Sequence, residues 1–477
     1  MKKILNIFKI ADLRFKVLFT IAILFVYRVG GQLRIPFLDN DKIAEATEAI
    51  SSNSLLGLYD VFVGGFLSQA SIFTLGIMPY ISASIAMQLL GAVVPYFQRL
   101  QKEGELGRRK ITQYTRYGTV LVATIQSIGI ATFLQQQVGV QVPDLITADP
   151  ALFYFITIVT LVTGTMFVMW LGEQITEFGI GNGISLIIMA GIIARFPFVV
   201  MQQWGSSKWA GLTESGNYNL SFIEVISNQV LIIFGLLILM FAITVFTVLV
   251  TTGVRKIPVQ YAKRGVGRKV YGGQDSHIPL KILTAGVMPI IFAQALMMVP
   301  GTLITFFPPG PFVDGMTDLL NPISPAYIIL SIILIIVFTY FYTAIAFNPV
   351  EVADNLKKSS GHIPGVRPGK ATSDYIDNIL TGVTLPAAFF LAFLAILPSL
   401  LFLVINGMTN AGTQMDINNV DNLVSYSLLT FFGGTSLIIL VGVALDTLQQ
   451  IESHMVMRNY DGFLKSGRIR GRSTKRY

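Results

Sequence analysis

The chain has 477 residues, of which 53% are hydrophobic and 13% charged, against about 25% charged residues in ordinary globular proteins. This composition excludes a set of soluble domains and indicates an integral membrane protein with a net charge of +8. Because it has no cysteine, the chain has no disulfide, thiolate metal site or cysteine nucleophile.

Apolar runs of about 18 residues or more, long enough to cross a hydrocarbon core of ~30 Å as helices, recur along the chain. The basic N-terminus precedes the first run with no small-residue cleavage site, which predicts a retained helix and not a signal peptide. The ten predicted spans are residues 17 to 35, 71 to 94, 116 to 136, 151 to 171, 183 to 202, 226 to 250, 284 to 306, 326 to 347, 379 to 405 and 430 to 449.

Basic residues are distributed very unevenly between the two sides of the predicted membrane. An even number of spans places both termini on one side, and that side holds 29 of the 34 Lys and Arg residues. The opposite side holds Arg34, Lys42 and Lys208. The positive-inside rule therefore predicts that both termini are cytoplasmic.

Ten spans divide into two halves of five, and an odd number per half requires the second half to be inverted in the bilayer. We expect an all-α membrane protein with an N-terminal half at 1–220, a C-terminal half at 221–449 and a basic cytoplasmic tail at 450–477. A plain ten-helix bundle is the alternative.

The segment LLGLYDVFVGGFLS, residues 55–68, is apolar but too short to span. Irregular backbone at membrane depth must be buried in protein or face a water-filled cavity. The length predicts a re-entrant or an interfacial segment, so a short re-entrant helix that closes a pore and a helix on the membrane surface both fit. The residues of interest are Leu58, Asp60, Val61, Phe62, Gly64 and Gly65.

The spans contain almost no ionisable side chains, which opposes an ion-coupled transporter. The three histidines lie outside the spans without ligand spacing, so no metal site is predicted. GVRPGKAT departs from the phosphate-loop spacing, and GIGNGIS has no preceding strand, so no cofactor site and no catalytic site is predicted. Arg28, near the outer end of the first span, is expected to snorkel to the interface or to pair with backbone carbonyls.

Isoleucines stand four residues apart at two comparable places, Ile77 with Ile81 and Ile184 with Ile188. This spacing puts each pair on one helix face. Such side chains would form a dry constriction if they converged, although ordinary packing or lipid contact gives the same pattern.

The stretch VRKIPVQYAKRGVGRKVYGG, between spans six and seven, carries six basic residues and no acid. Phosphate contacts of a nucleic acid and positive-inside charge both fit this composition.

Six segments in order resemble the SecY family, the channel-forming subunits of bacterial Sec translocons. They are SIFTLGIMPYISASI, EGELGRRKITQYTRYGT, TGTMFVMWLGEQITEFGIGNGIS, YAKRGVGRKVYGGQ, FNPVEVADNLKKSSGHIPGVRPG and FGGTSLII. The resemblance implies ten spans in two pseudo-symmetric inverted halves, an hourglass pore, a plug helix at about residues 55–68, and a lateral gate. In that gate, spans two and three face spans seven and eight.

The resemblance also implies site residues. The pore ring falls on Ile77, Ile81, Ile184, Ile188, Ile291 and Ile439. SecA and the ribosome would dock on the loops at 253–281 and 348–378. The implied docking residues are Arg255, Lys256, Lys263, Arg264, Arg268, Lys269 and Arg367.

The implied activity is passive conduction and not catalysis. Unfolded secretory proteins would cross the inner membrane, and transmembrane helices would leave sideways into the lipid bilayer. The implied partners are SecE, SecG, the SecA ATPase, the ribosome with its RNA, and substrates with signal sequences.

A small-solute transporter and a membrane anchor that recruits RNA or ribosomes are the rival functions. The tail at 468–477 fits contact with ribosomal RNA or lipid headgroups as well as solvated charge.

Overall fold

The computed structural model describes residues 11–39, 42, 59–60, 62–139, 142, 145–205, 222–261, 264–266, 269–271, 276–304, 307, 310–409, 429 and 434–465. The helices are α1 Ala11–Gly30, α2 Met78–Val93, α3 Pro95–Lys102, α4 Glu105–Phe133, α5 Pro150–Phe178, α6 Gly183–Gly205, α7 Phe222–Thr252, α8 Met288–Ile304, α9 Pro311–Leu320, α10 Pro325–Ala346, α11 Pro349–Lys358, α12 Lys370–Thr409 and α13 Thr435–Lys465. The strands are β1 Val254–Tyr261, β2 Arg264–Val266, β3 Lys269–Tyr271, β4 Ser276–Lys281 and β5 Gly361–His362.

Each of the ten predicted spans overlaps one of these helices. Within the described residues, five helices (α4, α5, α10, α12 and α13) are long and apolar enough to cross a membrane, and the bent pair α2 and α3 would add a sixth. The apolar parts of α6, α7 and α8 are shorter, at 10 to 17 residues. The all-α membrane fold is confirmed for the spans, and the strands are confined to the segments between them.

The second span differs from its predicted length. Helix α2 begins at Met78, and residues 71–77 form turns in place of helix. Two local features account for this. The backbone of Ser71 pairs with Arg34 in an isolated β-bridge, and Gly76 adopts a left-handed φ of 53°, which interrupts a right-handed helix. The next helix, α3, turns away from α2 by 97° at Pro95, whose ring cannot continue the helix above it.

The chain divides into two compact units. The first comprises residues 1–48, 60–194 and 443–477, and the second comprises residues 49–59 and 195–442. In the first unit, α4 packs between α2 and α5, and α1 packs on α5. In the second unit, α10 packs on both α8 and α12. The predicted halves at 1–220 and 221–449 stay a prediction.

The two predicted docking loops form one structure in the second unit. Strand β1 pairs antiparallel with β4 and, at its other end, with β5, which gives the strand order β4-β1-β5. Beneath the sheet lies a small apolar core that also includes residues of α11 and α12. Its buried members are Ile257, Val259, Leu280, Leu356, Ile363 and Ile376. We call β1, β4, β5, α11 and this core the platform.

Candidate pore and docking sites

The ring positions of the first unit lie on two helices that meet at a glycine. Ile77 directly precedes α2, and Ile184 lies in the first turn of α6. A Cβ atom built on Gly172 of α5 would lie 3.5 Å from Cγ1 of Ile184 and 3.6 Å from Cδ1 of Ile77. The two side chains therefore converge where α5 has no side chain. Ile81 and Ile188 follow one turn later and are 3% and 5% exposed.

The glycine-rich run before α6 sets the position of Ile184. The Oδ1 of Asn182 accepts hydrogen bonds from the backbone N–H groups of Ile184 and Ser185, at 3.1 and 3.4 Å. An asparagine in this place caps the free donors of a helix N-terminus. The run is thus a capped turn between α5 and α6, in which Gly181 adopts a left-handed φ of 88° that favours glycine.

The other two ring positions lie in the second unit and are buried. Ile291 on α8 is 5% exposed, and Ile439 on α13 is fully buried. Gly442 of α13 lies so close to Val287 that a Cβ atom there would clash with its side chain. Val287 and Gly442 each lie about one turn from a ring position, so the helix starts that carry Ile291 and Ile439 approach one another. The complete ring stays a prediction.

A cavity of about 780 Å³ in the first unit adjoins one ring position, Ile184. It is lined by Tyr80, Trp170 and Ile184, and also by Arg116 of α4 and Glu173 of α5. Nε and one terminal nitrogen of Arg116 donate to the two carboxylate oxygens of Glu173 at 3.0 and 2.8 Å. This bidentate pair joins α4 to α5 at the cavity wall. No sequence pattern predicts this ion pair, because the partners are 57 residues apart.

Within the predicted plug the structure describes residues 59–60 and 62–68, and the Asp60 side chain stabilises the turn that follows it. Asp60 is 2% exposed, and its Oδ1 accepts hydrogen bonds from the backbone N–H groups of Leu67 and Ser68, at 2.9 and 3.0 Å. Phe62 lies in the helical turn and is 9% exposed. Leu58 and Val61, also predicted plug residues, lie outside the described residues.

The Gly64-Gly65 pair is the tightest point of this segment. Both residues have a left-handed φ, 86° and 87°, which favours glycine. A Cβ atom on Gly64 would lie 2.7 Å from the Cα of Gly191 on α6. The pair therefore permits a sharp turn and a close backbone approach.

Helix α1 fastens the same turn. A terminal nitrogen of Arg28 donates to the carbonyl oxygen of Gly64 at 3.1 Å, and its guanidinium carbon lies 5.1 Å from the centre of the Phe66 ring. Phe66 and Phe73 flank Tyr27 in an aromatic cluster. Of the two roles predicted for Arg28, the structure has the pairing with a backbone carbonyl.

The sheet of the platform sorts the predicted docking charges onto two faces. Arg255 lies on the same face of β1 as the buried Ile257 and Val259. Lys256 lies on the opposite face with Pro258 and Gln260. Partners in the register share a face, so this outer face also carries residues that sequence reasoning missed. They are His277, Lys281 and His362, all exposed. For His277 and Lys281 the signal was the two-residue spacing 277, 279, 281, which can be read only if this loop is known to be a strand. His362 lies in the other loop, and its place on this face follows from its pairing with Gln260.

The remaining docking residues are placed in part. Arg367 is exposed, and its carbonyl oxygen accepts a hydrogen bond from the Thr372 hydroxyl at 2.8 Å, which ties it to the start of α12. Arg264 and Lys269 lie in β2 and β3, which pair as a hairpin. Lys263, Arg268 and the tail at 468–477 lie outside the described residues. Within the described residues, no group of three or more His, Asp or Glu side chains could hold a metal ion.

Comparison with known proteins gives a match along nearly the whole chain. The SecY family model matches residues 71–448. The protein translocase subunit SecY of Escherichia coli K12 is 42% identical over 465 residues, covering 97% of this chain and 96% of that protein. The protein of the same name from Thermus thermophilus is 39% identical over 467 residues, covering 98% of both chains.

Solved structures share the fold at lower identity. A structure described as that of a protein conducting channel covers 93% of both chains, with a TM-score of 0.56 at 18% identity. Sec61 in the canine ribosome-channel complex from the endoplasmic reticulum also covers 93% of both chains, with a TM-score of 0.52 at 17% identity.

Proposed function

The chain belongs to the SecY family, and from this premise we propose that it forms the protein-conducting channel of a Sec translocase. Unfolded secretory proteins cross the membrane through it, and hydrophobic helices leave it sideways into lipid. The observation that carries the proposal is the match to SecY proteins over 97% of the chain at about 40% identity. The convergence of Ile77 and Ile184 at Gly172 supports it in the first unit.

The chemistry of a polypeptide substrate favours an apolar constriction. A chain in transit carries side chains of every kind, so a pore cannot select it by fixed coordinating groups. Branched apolar side chains can close around it without binding it tightly, and they exclude water when the pore is empty. We assign this role to Ile77, Ile81, Ile184, Ile188, Ile291 and Ile439.

A lateral gate between spans two and three and spans seven and eight completes the proposed channel. A signal sequence or transmembrane helix has about 20 apolar residues. When the gate exposes it to lipid, it partitions by its own hydrophobicity. The channel is passive, so energy comes from SecA or from the translating ribosome.

The platform is the proposed landing surface for both motors, with SecE and SecG as further subunits. Its outer face presents Lys256, Lys281 and two histidines from loops that are about 100 residues apart in sequence. The channel lies in the inner membrane with both termini in the cytoplasm, where the 29 basic residues would meet the motors and ribosomal RNA.

Crosslinking to a stalled substrate tests conduction directly, because the chain has no cysteine of its own. Ile81→Cys should form a disulfide with a cysteine in a secretory chain stalled in mid-transit. Ile238→Cys is the matched control, since Ile238 on α7 is 67% exposed and is expected to face lipid.

Failure of every ring position to crosslink would refute the channel and favour the membrane anchor. A small-solute transporter would also give no crosslink, but it would catalyse uptake of a solute by vesicles that contain no motor.

A further inference from the structure

Helix α9 joins α8 to α10 on the side of the membrane opposite the platform, in a loop where the sequence has no recognised motif. Helix α8 follows β4 of the platform and ends at Ile304, and α10 begins at Pro325. Helix α9 packs against both. It therefore lies where two spans leave the bilayer.

The ten residues of α9 divide into three sectors around its axis. Val313, Thr317 and Leu320 recur at helical spacing on the side toward the protein, where Leu320 is 3% exposed. The exposed Gly315 and Asp318 mark a polar side.

The third sector is an apolar stripe that the described residues leave largely open. Phe312, Met316 and Leu319 occupy it at spacings of four and three residues. Phe312 is 65% exposed and Leu319 is 47% exposed. Phe307, which precedes the helix, is 51% exposed and meets Phe312 edge to face, with ring centres 6.0 Å apart.

The ends of the neighbouring spans show what covers this stripe. Leu303, one residue before the end of α8, is 45% exposed, and Ile329, in the first turns of α10, is 57% exposed. Exposed apolar side chains at the ends of two spans are expected to face lipid, which would bring the bilayer surface to the level of α9. A helix with one apolar and one polar face at this depth binds in the headgroup region.

We propose that α9 is an interfacial helix that docks on the lipid surface through Phe312, Met316 and Leu319. Its attachment to the spans is firm. The hydroxyl of Ser324 donates to the carbonyl oxygen of Leu319 at 2.7 Å and also accepts from the N–H of Tyr327 at 3.2 Å. The buried Ser399 hydroxyl of α12 donates to the carbonyl oxygen of Pro322 at 2.9 Å. Lipid contact at α9 therefore sets the depth of the ends of α8 and α10.

Single nitroxide labels test the proposal in the full chain, reconstituted in vesicles of phosphatidylethanolamine and phosphatidylglycerol. The label is placed in turn at Phe312→Cys, Leu319→Cys and Asp318→Cys, and its collisions with dissolved oxygen and with a water-soluble nickel chelate are measured. Labels at 312 and 319 should collide with nickel several-fold less often, and with oxygen more often, than the label at 318.

Two results would overturn the proposal. Nickel collisions at 312 and 319 equal to those at 318 would place the stripe in water. Protection of 312 and 319 from both reagents would mean that protein covers it, either a second copy or a partner. If one labelled variant fails to fold, as judged by gel filtration, the other reports on the same sector. None of these readouts depends on translocation, so the result is independent of the proposed function.

Discussion

Arg28 is a charged residue within the predicted first span, where a charge is energetically unfavourable. Its two contacts compensate for this position. Its guanidinium holds the carbonyl oxygen of Gly64 and stacks over Phe66. A hydrogen bond to a charged donor contributes about 1.5–3 kcal/mol, and a cation–π contact about 0.5–1 kcal/mol or more. These contacts join α1 to the proposed plug.

Replacing Arg28 with alanine should loosen the turn at Asp60 to Ser68. We expect the free energy of local opening to fall by about 2 kcal/mol, which is about 30-fold faster amide exchange. Hydrogen exchange at Gly65, Leu67 and Ser68, whose N–H groups bond to Asp60, measures this effect. Vesicles with the variant should also leak small ions without a motor.

Two variants of the same helix serve as controls. Arg14→Ala removes an exposed arginine of α1 and should change neither exchange nor leak. Arg28→Lys keeps the charge but loses the planar fork, so it should restore part of the protection. Unchanged exchange in Arg28→Ala would show that Arg28 does not position the plug.

At the scale of elements, the platform depends on a small core and not on its charges. Ile257 of β1 is 1% exposed and packs against residues from both loops. Pro258 lacks an N–H donor, yet β1 tolerates it because β5 pairs only with Gln260 and Tyr261, which leaves the other edge of β1 open at residue 258.

Ile257→Ala should unfold the platform while the spans stay intact. Truncation of a buried isoleucine to alanine lowers the free energy of unfolding by about 2–5 kcal/mol. This is a large part of the stability that a core as small as the platform's can provide. Limited proteolysis should cut the segments 253–281 and 348–378 faster, and binding of SecA and of ribosomes should weaken together. Val254→Ala, on the same strand but 44% exposed, should leave both unchanged. Loss of only one partner would show that the two motors use separate surfaces.

At the scale of the whole molecule, the predicted topology rests on many charges and the proposed docking on few. Since 29 of 34 basic residues are predicted on one side, reversal of one of them leaves the asymmetry nearly intact. Charges on a docking surface act individually, because each faces its own partner group.

Arg264→Glu and Arg367→Glu, made singly, should therefore keep the orientation of the chain and weaken docking. Reporter fusions at the C-terminus measure orientation, while SecA-driven translocation and ribosome binding measure docking. Lys42→Glu, on the predicted outer side, is the control and should alter none of these. An inverted C-terminus would assign the reversed residue to topology, and unchanged values throughout would remove it from the docking site.

Family membership and the membrane fold were both accessible from the sequence, for a physical reason. Each helix that crosses a bilayer requires a long apolar run, which is visible in the sequence. Lys and Arg are more frequent in the cytoplasmic loops, so the charge of a loop indicates its side of the membrane. Span boundaries were less accessible. The turns before Met78 and the 97° bend at Pro95 depend on contacts that an apolar run does not reveal.

The sequence by itself determined that the chain is an all-α membrane protein of the SecY family and which of its loops are basic, and it predicted a ring of isoleucines. Only the tertiary structure decided which distant residues meet. It joined Arg28 to Gly64, placed Ile77 and Ile184 together at Gly172, and paired Gln260 with His362. Hydropathy and charge are sums over neighbours in sequence, whereas these contacts arise from packing between segments that are 36 to about 107 residues apart.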